Sequence, residues 1–419
     1  MTRRMLILPA LLLLIGLAAP LRGQEAGVCF ECHNDPSATG ARGDTLYVDS
    51  ERWTASVHAQ AGLECTACHQ DLAGVEDWPH PETLQKVDCS ACHDKAMLDW
   101  TGSVHGKAAR DKGDLDAAGC ADCHGSHYIL PVKDPQSPVY PSNLPTTCLR
   151  CHADSSLGLK HEGMGKPEKA SLYLGSVHAQ ALEKRGLVIS ATCSSCHGSH
   201  NIQPLDKFLE NIPRTCGECH AGIYRDYVEG VHGAEYLKGN RDVPLCTDCH
   251  GEHDIRPPDD PESKVNPRQL AQVCSRCHED QSLSAKYGLP LGRLDSYMTS
   301  YHGVALKLGD MRVANCASCH GFHNIRPSSD PKSPVNPANL AATCGKCHPN
   351  AGENFAKGKI HVQGQPHENL GAWLVKRAYV LLILALVGGF VGYIVLDLAA
   401  RRRRRAKGED KTRDPEKKP

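Results

Sequence analysis

The dominant chemical signal in this chain is two cysteines three residues apart with a histidine directly after the second. C-x-x-C-H occurs eleven times. The first six copies are Cys29, Cys32 and His33; Cys65, Cys68 and His69; Cys89, Cys92 and His93; Cys120, Cys123 and His124; Cys148, Cys151 and His152; and Cys193, Cys196 and His197. The other five are Cys216, Cys219 and His220; Cys246, Cys249 and His250; Cys274, Cys277 and His278; Cys316, Cys319 and His320; and Cys344, Cys347 and His348. The chain holds 22 cysteines, so at two per motif none is left over. Thiols at this spacing lie on one face of a helical turn. They reach the two vinyl groups of one porphyrin, and the next residue points its imidazole at the iron. The pattern reads as eleven covalently attached c-type haems. Zinc knuckles do not need histidine after every pair. A disulfide framework does not need one fixed step eleven times, and a thioredoxin-like pair needs a βαβ setting.

Thirteen of the 24 histidines lie outside the motifs. Six follow a short apolar or aromatic residue in a similar context: His58, His105, His178, His232, His302 and His361. Four sit three residues after a motif histidine, in C-H-G-x-H: His127, His200, His253 and His323. The first repeat lacks that form, and His80 stands as its substitute. These make eleven candidate distal ligands for eleven irons, leaving His161 and His367 as spares. The match favours bis-histidine, six-coordinate iron throughout. Methionine does not replace it generally, because the chain has six and two lie in the first few residues.

The motifs sit on an internal repeat. Segments 120–152, 246–278 and 316–348 align without gaps, 193–220 is a shortened copy and 65–93 a diverged one. Five two-haem units over 65–361 thus follow a single-haem segment at 24–64. Asp-Pro, Ser-Pro and Asn-Pro dipeptides between paired motifs mark loops. Stretches 167–185 and 222–237 are expected to be short helices carrying the histidine elements. The chain has only 5 Phe and 4 Trp, too few large apolar side chains for several conventional cores. The expected fold is mostly coil with short α-helices, little or no β-sheet, and porphyrins as the core.

Two apolar segments bound this region. Residues 1–23 combine a basic start with a 15-residue apolar stretch, the length of a signal peptide; an uncleaved anchor is the alternative. Residues 378–397 read as one transmembrane helix, after a juxtamembrane linker at 362–377 and before a basic tail at 398–419. Arg401–Arg405 on one flank outweigh Lys376 and Arg377 on the other, which places the C-terminus in the cytoplasm and the haem region in the periplasm. The first 23 residues hold three basic residues and no acid; residues 401–419 hold ten basic and four acidic. Residues 24–400 therefore carry 34 basic against 44 acidic groups, formally −10, which argues against nucleic-acid binding.

These residues resemble the multihaem c-type cytochromes with doubled C-x-x-C-H motifs, over about 29–361. The group includes periplasmic tetrahaem and decahaem electron carriers and quinol dehydrogenases. By that resemblance C-H-G-x-H and S-V-H-G histidines are haem ligands: His127, His200, His253 and His323, and His58, His105, His178, His232 and His302. The quinol dehydrogenases differ in having an N-terminal anchor and fewer haems. The C-terminal helix is similar to a subset found beside b-type cytochrome subunits, with Tyr393 where that subset has histidine. The expected function is electron relay, with no catalytic residue at iron. Its expected partners are a quinone-linked or b-type cytochrome subunit in the inner membrane and periplasmic redox proteins, serving anaerobic respiration. One alternative is a nitrite- or hydroxylamine-type oxidoreductase, with an open iron at the haem that needs His80 or at Cys29–His33. Another is direct quinol oxidation at His367, Glu368 and Lys376, a trio that also suits interfacial anchoring. A haem filament is a third.

Overall fold

The computed structural model describes residues 26–40, 43–76, 78–81, 83–161, 164–362 and 369–407. The expected signal segment and the end of the basic tail lie outside the described residues, as do His367 and Glu368. Among the described residues there are many short helices, a single long one at the C-terminus and no strand. The one β-bridge is isolated, between Thr39 and Thr45.

The motif helices are short because the sequence both starts and stops them. Cys120–His124, Cys193–His197 and Cys316–His320 each span five residues. The residue before the second cysteine closes the first turn: Asp122 accepts from the Gly119 N–H at 2.7 Å, Ser195 from Thr192 at 3.0 Å and Ser318 from Asn315 at 3.1 Å. The glycine of C-H-G-x-H then ends the helix. Gly125, Gly198, Gly251 and Gly321 have φ between 79° and 91°, a region costly for any side chain. This turn frees the following histidine from the helix that carries the motif.

The histidine elements are separate helices. Where the sequence suggests single helices over 167–185 and 222–237, the chain breaks at Ser176 and at Gly230, both extended N-caps. Ser56, Ser103, Ser176 and Ser300 cap the helices holding His58, His105, His178 and His302 through their side-chain oxygens. In four of the elements an aromatic residue four positions ahead pins the helix. Trp100 Nε1–H donates to the Ala118 carbonyl (3.0 Å), Tyr173 to Ala191 (2.8 Å), Tyr227 to Pro244 (3.0 Å) and Tyr297 to Ala314 (3.1 Å). Each acceptor lies two residues before the first cysteine of its unit, so the pin sets the histidine helix against the motif helix.

The polypeptide interior is thin. Ser56, Ser103, Ser137, Ser176, Ser263 and Ser333 are among its most buried side chains, and Ile212 is its largest fully buried residue. The chain forms two compact units, 1–219 with 251–256, and 220–250 with 257–419. This division does not follow the repeats. Segment 251–256 joins the first unit because it docks there: the Val177 N–H donates to the Ile255 carbonyl at 2.8 Å. The same bond recurs as Val57 to Ile129 and Val104 to Ile202 in the first unit, and as Val231 to Ile325 in the second.

The C-terminal helix runs from Leu370 to Ala406, 37 residues or roughly 56 Å. It begins eight residues before the expected span and ends nine after it. Nothing between Lys376 and the arginine run breaks a helix, and Asn369 caps its start by accepting from the Ala372 N–H at 3.0 Å. Its apolar side chains are exposed throughout. It is long and apolar enough to cross a membrane.

Candidate haem-binding sites

The fold brings motif histidines face to face with the other histidines in pairs. The first motif of each two-motif unit meets the C-H-G-x-H histidine of the next unit: His69 with His127 (6.2 Å between ring centres), His124 with His200 (6.0 Å), His197 with His253 (5.9 Å) and His250 with His323 (6.0 Å). The second motif meets the histidine helix ahead of its own unit: His93 with His58 (6.1 Å), His152 with His105 (6.1 Å), His278 with His232 (6.3 Å) and His348 with His302 (6.1 Å). His33 meets His80 at 6.0 Å and His320 meets His361 at 6.3 Å.

This placement corrects one grouping made from sequence. The isoleucine before His361 groups it with the V-H class. In the fold it faces a first motif, the role that C-H-G-x-H histidines fill elsewhere. Local context misleads because no further motif follows to supply that form. His80 lies in the first unit and faces the preceding solitary motif, so it does stand in for the missing C-H-G-x-H. The two places singled out for an open iron are therefore one site, and both its faces carry histidine.

The separations fit an iron between the rings. Two Fe–N bonds of about 2.0 Å and two ring-centre-to-nitrogen distances of about 1.2 Å sum to about 6.4 Å. The rings are too far apart to hydrogen-bond each other directly. Nδ1 is taken up elsewhere where its contact is resolved: His33 to the Leu46 carbonyl, His80 to the Pro81 carbonyl (both 2.8 Å) and His361 to Ser296 Oγ (2.9 Å). A carbonyl accepts only from Nδ1–H, which leaves Nε2 bare for a metal. Burial lowers the pKa of His105, His124, His152 and His197, and takes His232 down to about 4. Each is thereby kept as the neutral imidazole that metals bind.

Two geometric classes alternate along the chain. Pairs built on a first motif, and the His33–His80 pair, have ring planes within 10–29° of parallel. Pairs built on a second motif cross at 48–61°. The crossed pairs all take their outer ring from a histidine helix, whereas four of the six parallel pairs take it from a post-motif turn and the other two from His80 and His361.

Within each compact unit, consecutive motifs touch through their cysteines. Cys65 lies against Cys29, Cys89 against Cys120 and Cys148 against Cys193 in the first unit, and Cys274 against Cys316 in the second. The second cysteines face the other way. Cys68 lies near Cys89 and Cys92, Cys123 near Cys151, and Cys196 near Cys216 and Cys219. Cys249 likewise lies near Cys277, and Cys319 near Cys344 and Cys347. Each motif so contacted has its chain neighbour beside it. As thioether sulfurs these atoms would keep their neighbours.

Exposure is spread along the series: Cys32, Cys92, Cys120, Cys151, Cys196, Cys219 and Cys347 are exposed, and the other motif cysteines are half-buried. The thioethers assigned to the exposed cysteines would sit at water-facing haem edges.

Of the spare histidines, His161 sits between two carboxylates, with Nδ1 3.2 Å from Asp114 and Nε2 3.0 Å from Asp116. Lys160 pairs with the same Asp116. A related unit builds the same tie from Lys286, Tyr287 and Asp242. His161 is thus part of a structural clamp. Sequence reasoning missed the aromatic pins and the serine caps, although an aromatic residue four positions ahead of each V-H or Y-H step is there to be seen.

No solved structure matches this chain. Residues 57–153 match the family model described as Cytochrome c3. That segment holds four of the motifs, and with the paired cysteines along the rest of the chain it supports a multihaem electron-transfer cytochrome carrying covalently bound c-type haem.

Proposed function

We propose that this protein is a membrane-anchored undecahaem cytochrome. It would relay electrons between the quinone pool or a membrane partner and periplasmic or extracellular acceptors in respiration. One observation carries the reading: ten motif histidines each face a second histidine at 5.9–6.3 Å. His178 is the remaining second histidine of the sequence count, and Cys216–His220 the remaining motif. The cysteines attach the haems, the motif histidines are their proximal ligands, and the paired histidines are distal ligands. Each bound haem would supply a one-electron Fe(III)/Fe(II) couple.

The protein's own residues keep both axial positions occupied, which suits relay and leaves no place for substrate at iron. Histidine on both sides lacks the methionine that raises potential, so low potentials are expected. The helix 370–406 anchors the haem region, with its arginine-rich end in the cytoplasm. The acidic haem region favours a basic periplasmic partner and salt-sensitive association.

Inner-membrane vesicles with the haem side exposed test this. Reduced quinol should reduce the bound haems, and a soluble oxidised acceptor should reoxidise them. Deleting 370–406 should release a fully haem-loaded protein that quinol no longer reduces through the membrane. A chain with fewer than eleven haems, or one as readily reduced after release, would overturn the proposal.

A further inference from the structure

His361 differs from the other outer histidines in how it is held. The elements carrying His58, His105, His178 and His232 are tied by a backbone bond to an isoleucine downstream. No motif follows His361. Instead, Ser296 Oγ donates to the Arg293 carbonyl at 2.8 Å and so accepts from His361 Nδ1–H at 2.9 Å. Arg293 Nη1 donates to the His361 carbonyl at 3.5 Å. The ring is thereby fixed with Nε2 toward His320.

This pair of residues belongs to the last unit alone. Five residues ahead of the other histidine elements stand Arg52, Asp99, Leu172 and Asp226, and eight ahead stand Asp49, Ala96, Lys169 and Ile223. His361 is also nine residues from Leu370, where the long apolar helix starts. That stretch of chain spans at most roughly 32 Å, so the Cys316–His320 site is tethered close to the membrane end.

Building on the relay reading above, we propose that Arg293 and Ser296 are positioning residues that deliver His361 to the Cys316–His320 iron. We further propose that the Arg293 charge raises the potential of that haem, making it the junction where the membrane side exchanges electrons. Reduction adds one negative charge at iron, and a permanent guanidinium beside the ligands favours it. The guanidinium lies beside the ligand, with Arg293 Nη1 3.5 Å from the His361 carbonyl. Glu279 lies beside Arg293 and offsets part of its charge: its carboxylate accepts from the flanking Gly292 and Leu294 N–H groups at 2.8 Å, feels the guanidinium directly, and acts on the neighbouring His278 with opposite sign.

The test is a spectroelectrochemical titration of the full-length holoprotein in detergent, for the parent, R293Q, R293K, S296A and H361A. In R293Q the Ser296 bond persists, so the spectra should stay low-spin while one haem in eleven titrates at lower potential. R293K should restore the parent curve. S296A should keep the charge but make one haem partly high-spin and able to bind carbon monoxide; H361A should do so fully. R293Q added to H361A should lower the potential of that carbon-monoxide-binding haem. The proposal is overturned if R293Q titrates like the parent, or if the shift in the double variant falls on a different haem. A parent protein that already contains a five-coordinate haem refutes the bis-histidine relay itself, whatever R293Q does.

Discussion

Replacing His323 with alanine separates this fold from the simplest reading of its sequence. His323 lies three residues after His320, and local proximity would assign it to the haem at Cys316–His320. In the fold its ring faces His250, 6.0 Å away and 73 residues earlier, at a plane angle of 20°. Losing the imidazole therefore opens the iron at Cys246–His250. With 22 cysteines at two per haem, one opened iron is about 9% of the total. The Val231–Ile325 backbone bond involves no side chain of His323, so the histidine helix keeps its dock. The reduced variant should bind one carbon monoxide per molecule where the parent binds none. Brief peroxide treatment attacks an open haem selectively, and mass spectrometry of the haem peptides then shows which one. Damage at the Cys246–Cys249 peptide is the expected result; damage at Cys316–Cys319 would refute the pairing. His323→Met guards against collapse, since it keeps six ligands and should shift one titration component upward.

Three further outcomes follow from the geometry. Low-spin ferric signals should fall into two populations of comparable size, because parallel imidazole planes split the iron d orbitals more than crossed ones do. H302A should remove intensity from the crossed class (48°) and H323A from the parallel class, as read by low-temperature EPR. Gly303→Ala should be strongly destabilising, since its Cβ would overlap the Tyr297 carbonyl; a lowered thermal midpoint and a carbon-monoxide-binding haem at Cys344–His348 are the readouts. Burial, with nearby cysteines as a smaller cause, pushes Tyr173 and Tyr297 up to about 12. The neutral phenols stabilise the fold fully below pH about 10, and this is lost as pH rises through about 12. Alkaline unfolding followed by tyrosinate absorbance should show that window, and Tyr173→Phe with Tyr297→Phe should flatten it.

The motifs, the absence of sheet and the C-terminal helix are legible in the sequence because each is a local signal. C-x-x-C-H, an apolar run and Pro-rich connections need no knowledge of what lies across the fold. The pairing of His69 with His127 or His152 with His105 is not local. It depends on a glycine turn that swings one histidine back toward the preceding unit, and on a serine-capped helix aimed at the second motif. The sequence shows Gly125 and Ser103 plainly, but only the packing reveals which iron each serves. His361 makes the same point from the other side: its neighbours resemble one class, and its position at the end of the array gives it the role of the other. Buried serines such as Ser137 and Ser333 were invisible for a different reason, since they fill space that an apolar core would ordinarily take.

The central claim is that every iron carries histidine on both faces. The most direct measurement is low-temperature EPR of the oxidised full-length holoprotein, with carbon monoxide titration of the reduced form and a haem count on the same sample. The account predicts eleven haems, all low-spin and none reactive. A single stoichiometric high-spin haem that binds carbon monoxide would contradict it and move catalysis at iron to the front.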